Sequence, residues 1–244
     1  MSTEKDTQTE AWVDAWIAHS WRDVADQDYV AARIAYRYEL TQPFLWSSQQ
    51  AVEKYLKAIL LFSRVDTRDL GHDVVKVFGR LRTIPDLPFN FPPDIEKFIE
   101  YINEEGPNRY DDYPRELRPD ALIGLDRSAW HLRRYCDNLR GPHLAEETTK
   151  LAVDPLQQRR TFSIGGGWLE KVLAKRSATR AHLVWKNFWY GSRPKRRIKR
   201  FPARFSWTQP LTFMRPEVYE VVKDLVKLPP DVRAHLEALR KQKP

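Results

Sequence analysis

A helix that must be covered along one side sets the strongest limit on this fold. In Ser48-Gln49-Gln50-Ala51-Val52-Glu53-Lys54-Tyr55-Leu56-Lys57-Ala58-Ile59-Leu60-Leu61, the residues Val52, Tyr55, Leu56, Ile59 and Leu60 recur at helical spacing and make one apolar stripe. Gln50, Glu53, Lys54 and Lys57 fall at i, i+3, i+4 and i+7 and predict a compact polar set on the other side. The flanking sequence supplies partner helices. Trp12 to about Leu40 holds no Gly or Pro, with Ser20 as a candidate cap for a second helix inside it. Thr41-Gln42-Pro43 breaks and restarts the pattern, and the central helix then runs to about Ser63. Further helices are predicted over Asp73–Leu81, from Asp94 to about Asn103, and over Arg118–Leu139 with Pro119 in its first turn. Together these predict an all-α bundle of about four or five helices.

The central stretch also resembles HEPN domains, whose helix S/A-x-Q-A-x-E-K-x-L-K-A reads here SQQAVEKYLKAIL. Asp26-Gln27-Asp28-Tyr29-Val30-Ala31-Ala32-Arg33 is similar to the first helix of that family. Gly71-His72-Asp73-Val74 is similar to the turn that opens its third helix, and Arg109-Tyr110-Asp111-Asp112-Tyr113-Pro114 to the R-Y-P loop before its last. The resemblance covers roughly residues 10–140. It implies a prokaryotic defence, stress or toxin–antitoxin setting and a homodimer formed through the HEPN helices. Ribonuclease members use an Arg and a His, separated by four to six residues, for metal-free attack by the RNA 2′-OH. That spacing is missing here, since Arg127 and His131, like Arg68 and His72, have three residues between them. Arg127 and His131 still share a helix face with Arg134, so a divergent, metal-independent endoribonuclease using Arg127 and His131 as catalytic pair is one alternative. For members without the motif the resemblance implies a nucleotide or phosphate site, here Lys54, Lys57, His72 and Arg109. An ion pair from Glu53 to Lys57, four residues on, competes with that reading.

Charge divides the chain. Residues 1–140 hold 19 Lys+Arg against 24 Asp+Glu, a net of −5, whereas residues 141–244 hold 22 against 9, a net of +13. Within the basic part, Arg193, Lys195, Arg196, Arg197, Lys199 and Arg200 put six cations into eight residues, and Arg204 follows. Trp185, Trp189 and Trp207 flank the cluster with Phe188, Tyr190, Phe201 and Phe205. Cations hold phosphates and aromatic faces stack on unpaired bases, so the interleaving predicts an RNA or single-strand surface. The residues of that surface would be the seven cations and three tryptophans just named.

We therefore expect a mainly α protein: an HEPN-like bundle over residues 10–141, a linker over 142–160, and a smaller basic α+β or irregular module over 161–244. In the last, helices are predicted over Trp168–Arg176, Ala178–Trp189, Pro216–Val226 and Pro230–Lys241, with short strands or an extended loop from Arg196 to Met214. Gly165-Gly166-Gly167 reads as a turn, since no Walker or dinucleotide frame surrounds it. The lone Cys136 lies on an apolar stripe and reads as a buried thiol. No metal site and no cofactor are expected, given six His and no H-E-x-x-H or C-x-x-C spacing. No run approaches the roughly 18 apolar residues of a membrane span, and the polar N-terminus is unlike a signal peptide, which predicts a cytoplasmic protein. A scaffold subunit that meets an acidic protein or a nucleoprotein complex is the other alternative.

Overall fold

The computed structural model describes residues 12–85, 91–106, 117–139 and 167–191, together with Ala234, Glu237 and Ala238. The elements are helical: a π turn Ala18–Arg22, then α1 (Asp23–Arg37), α2 (Thr41–Phe62), α3 (Val74–Leu81), α4 (Pro93–Glu105), α5 (Ala121–Asn138), α6 (Trp168–Ala174) and α7 (Ala178–Val184). Among the described residues there is no strand. No helix among them is long and apolar enough to cross a membrane.

The central helix, α2, packs against α1, α3, α4 and α5. Fifteen of its 22 residues are buried, so it is enclosed rather than half-exposed. This corrects the expectation of an open polar side. Glu53 and Lys57 are buried, joined by a 2.7 Å ion pair, and Lys57 Nζ also donates to the Gly71 carbonyl at 2.6 Å. The loop after α2 folds over this pair. That loop turns at Gly71, whose φ of +57° favours glycine.

Helix ends follow local chemistry. Asp73 caps α3 by accepting from the Lys76 N–H at 2.9 Å. Pro93 opens α4, where its missing N–H costs nothing. Pro119 precedes α5 instead of lying in its first turn, because the helix starts at Ala121. Ser20 caps nothing, since the chain passes through the π turn without a break and runs on into α1. α1 and α2 each end with a left-handed residue, Glu39 at φ 62° and Arg64 at φ 57°. The Leu40 and Val65 N–H groups reach back to the Ala35 and Leu60 carbonyls, both at 2.9 Å, as in a Schellman cap.

Residues 167–191 pack on the bundle. Leu169, Val172 and Leu183 belong to the main core, together with Cys136, whose Sγ donates to the Tyr55 carbonyl at 3.6 Å. α6 and α7 are shorter than the expected helices, ending at Ala174 and Val184. The linker over 142–160, the stretch Arg196–Met214 and the helix Pro216–Val226 lie outside the described residues, as does most of Pro230–Lys241.

Gly124 on α5 faces the Phe98 ring of α4, and a Cβ there would lie 2.5 Å from Cδ2. Gly124→Ala is expected to cost about 1–3 kcal/mol in urea unfolding, although alanine is the better helix former by about 1 kcal/mol. A gain in stability would show that the α4–α5 contact is looser than described.

Candidate nucleic-acid interface

Two buried charge clusters set the position of residues 167–191. In the first, the Arg133 guanidinium donates from Nε to Asp26 at 2.8 Å and from both Nη atoms to Glu170 at 2.7 Å. Asp26 also accepts from the Tyr55 hydroxyl at 2.6 Å and the Leu169 N–H at 3.3 Å. Burial pushes the Asp26 carboxyl above its ordinary range, against the pull of Arg133 and Tyr55. Next to it Arg22 donates to Asp23 at 2.8 Å, and Asp23 accepts from the Trp168 N–H at 3.4 Å. Gly167 lets the chain close on this cluster: a Cβ there would lie 2.6 Å from Arg22 Nη2 and 3.0 Å from Arg133 Nη2.

In the second cluster Arg33 is paired with Asp126, and both are fully buried. Burial raises the Asp126 carboxyl, opposed by Arg33. Arg33 also donates to the carbonyls of His182 and Trp185, so a buried helix residue holds the end of α7. Asn187 tightens the following turn. Its Nδ2 donates to the Tyr29 hydroxyl at 2.8 Å and the Leu183 carbonyl at 3.0 Å, and its Oδ1 accepts the Trp189 and Tyr190 N–H groups at 3.0 Å. Tyr29 in turn donates to Asp126 at 2.7 Å.

This scaffold presents a cationic, aromatic surface where α1 ends beside α7. The Arg37 guanidinium lies 5.3 Å from the centre of the Trp185 ring, and Lys186 Nζ 4.9 Å from it. Arg37 Nη1 is 3.4 Å from His182 Nδ1. The Tyr38 ring, whose residue is 62% exposed, sits 5.8 Å from the His182 ring. Among the described residues no carboxylate forms an ion pair with Arg37 or His182. A guanidinium held on a ring, as Arg37 is, can take a phosphate, and an exposed ring can take a base.

The residues predicted from sequence are dispersed. Trp185 belongs to the surface, but its ring already carries two cations. Trp189 is buried against Trp130. Lys54 lies elsewhere, donating to Asp28 at 2.6 Å and Gln50 at 3.0 Å. Lys57 and His72 do meet, through Glu53, which is 3.1 Å from the exposed His72 ring at Nδ1. Arg127 is paired with Asp94 of α4, while His131 is buried beside the Trp130 and Phe91 rings. Arg134 stacks on Trp130 at 4.1 Å. Arg109, Arg193, Lys195, Arg196, Arg197, Lys199, Arg200, Arg204 and Trp207 lie outside the described residues. Sequence reasoning missed Arg37, Tyr38, His182 and Lys186. The only sequence signal was His182, Trp185 and Lys186 at spacings of three and one.

No group of three or more potential metal ligands occurs among the described residues. No curated protein and no solved structure matches the chain. The family model of the HEPN domain matches residues 18–128, the span from the π turn into α5. The matched residues take in α1, and with it Arg37 and Tyr38, so this part of the chain is similar to HEPN domains.

Proposed function

We propose that this chain binds RNA or single-stranded nucleic acid through the surface at the α1–α7 junction and the basic run that follows it. One observation carries the reading: Arg37 and Lys186 converge on Trp185 beside His182 and the exposed Tyr38, and among the described residues no carboxylate forms an ion pair with Arg37 or His182. The surface ends close in sequence to Arg193–Arg200, so its cations continue into the densest basic segment of the chain. The HEPN match supports a nucleic-acid-related role. In this reading Arg193, Lys195, Arg196, Arg197, Lys199, Arg200 and Arg204 grip the backbone, Trp207 adds a ring, and the bundle pairs with a second copy in a prokaryotic defence or stress setting.

Fluorescence anisotropy with labelled oligouridine tests it. Binding is expected to weaken steeply between low and moderate salt, with a log–log slope of about −0.7 per phosphate contacted. Arg37→Gln with Lys186→Gln is expected to flatten that slope by about one to two such contacts and to weaken binding at every sequence tried. Intact RNA on a gel of the same samples supports a binding role, and cut RNA would revive a ribonuclease. Absence of salt-sensitive binding sinks the reading in favour of an interaction subunit, for which the exposed Trp12, Val13 and Trp16 provide a surface.

A further inference from the structure

Arg37 and His182 stand 145 residues apart in sequence and within hydrogen-bond reach in space. A guanidinium can only donate. A hydrogen bond at this 3.4 Å contact therefore needs His182 Nδ1 as its acceptor, with the ring proton on Nε2. The imidazole is neutral in this arrangement.

Its surroundings keep it so. Arg37 and Tyr38 face it from the end of α1, and Arg33 reaches its backbone carbonyl at 3.3 Å. Asp126 on α5 is engaged by Arg33 and Tyr29. On α7 itself Arg180 turns away to the Leu173 carbonyl. Burial, then Arg37, then Arg33 hold the imidazole below its ordinary value. A single anion between Arg37 and the ring would reverse this balance, because it places a negative charge beside the imidazole.

Resting on the nucleic-acid reading above, we propose that a phosphodiester group of a single strand seats against Arg37 and His182, and that the imidazole takes up a proton as it binds. The protonated ring gives up the bond from Arg37 and turns Nδ1 into a donor. Arg37 and His182 then both donate to phosphate oxygens. Lys186 lies beside them for a neighbouring phosphate, and Tyr38 offers its open ring to the adjoining base.

The sign follows from linkage. The complex binds one more proton than the free protein, so affinity rises as pH falls, by at most about tenfold per pH unit for one site. The rise begins as pH passes down through the histidine value of the complex. It stops below the lowered value of the free protein, where His182 is protonated before binding.

Anisotropy titrations with oligouridine, whose bases take up no proton in this range, test the proposal at constant ionic strength. Between pH 7.5 and 5.5 the wild-type chain is expected to gain about tenfold more affinity than His182→Gln. His182 is half-exposed, so the variant keeps the fold, and comparison with it removes the contribution of the other five histidines. The His182 imidazole, followed by NMR, should titrate at higher pH with oligouridine than without. Parallel pH profiles for the two proteins, or an unmoved imidazole titration in a bound sample, would overturn the proposal while leaving the binding reading intact. Failure of the wild-type chain to bind oligouridine at any pH would overturn both.

Discussion

Arg133→Met is expected to destabilise the protein by about 3–5 kcal/mol, because it leaves a carboxylate buried without its counter-ion. The Arg133 and Asp26 side chains are both fully buried. Methionine restores much of the volume, so the loss reports charge rather than a cavity. Glu170 is partly exposed and recovers solvation, which makes Asp26 the source of the penalty. Asp26→Leu in the same chain should return a large part of the stability, since removing both members of a buried pair costs less than removing one. Urea unfolding of the two variants checks this. A single-variant loss below about 1 kcal/mol would place Arg133 in the class of surface pairs and discard the argument.

Asp126→Ala is the second large effect, again about 3–5 kcal/mol, with a different reporter. Here the stranded charge is Arg33, whose side chain is fully buried. Tyr29 loses its acceptor at the same time, and Tyr29 is the group that receives Asn187. The damage should therefore pass to residues 182–190, which Arg33 and Asn187 hold in place. Trypsin is expected to cut after Arg180 and Lys186 faster than in the wild-type chain under native conditions. Arg33→Met combined with Asp126→Ala should recover stability without recovering protection of the 182–190 turn. Equal cutting of Asp126→Ala and wild type would show that the turn is held by its apolar contacts alone.

Much of the bundle was legible because its signals are local. The stripe on α2 and the helices near Asp73–Leu81 and Asp94–Asn103 each follow from a few neighbouring residues. Burial of charge was not legible. Arg33 and Asp126 lie 93 residues apart, and Arg133 and Glu170 37 apart, so each reads in its own helix as a polar, outward position. Glu53 and Lys57 misled for a related reason: their spacing gave the pair, but the loop at Gly71 decided that it is covered. The candidate surface was half visible. Aromatic and basic density pointed to the region of Trp185, yet the same density included Trp189, which turns inward against Trp130. Arg37 and Tyr38 gave no signal, because only the tertiary fold brings the end of α1 to α7.

The reach of Arg33 also orders events during synthesis. Its acceptors at His182 and Trp185 follow it by 149 and 152 residues. At about 5–20 residues per second a ribosome needs roughly 8–30 s to produce them after Arg33 has been made. For that interval α1 can meet α2, but the acceptors for one of its inward cations do not yet exist. A nascent chain arrested before residue 182 should therefore hold an incomplete bundle, exposed on the side that α6 and α7 later close.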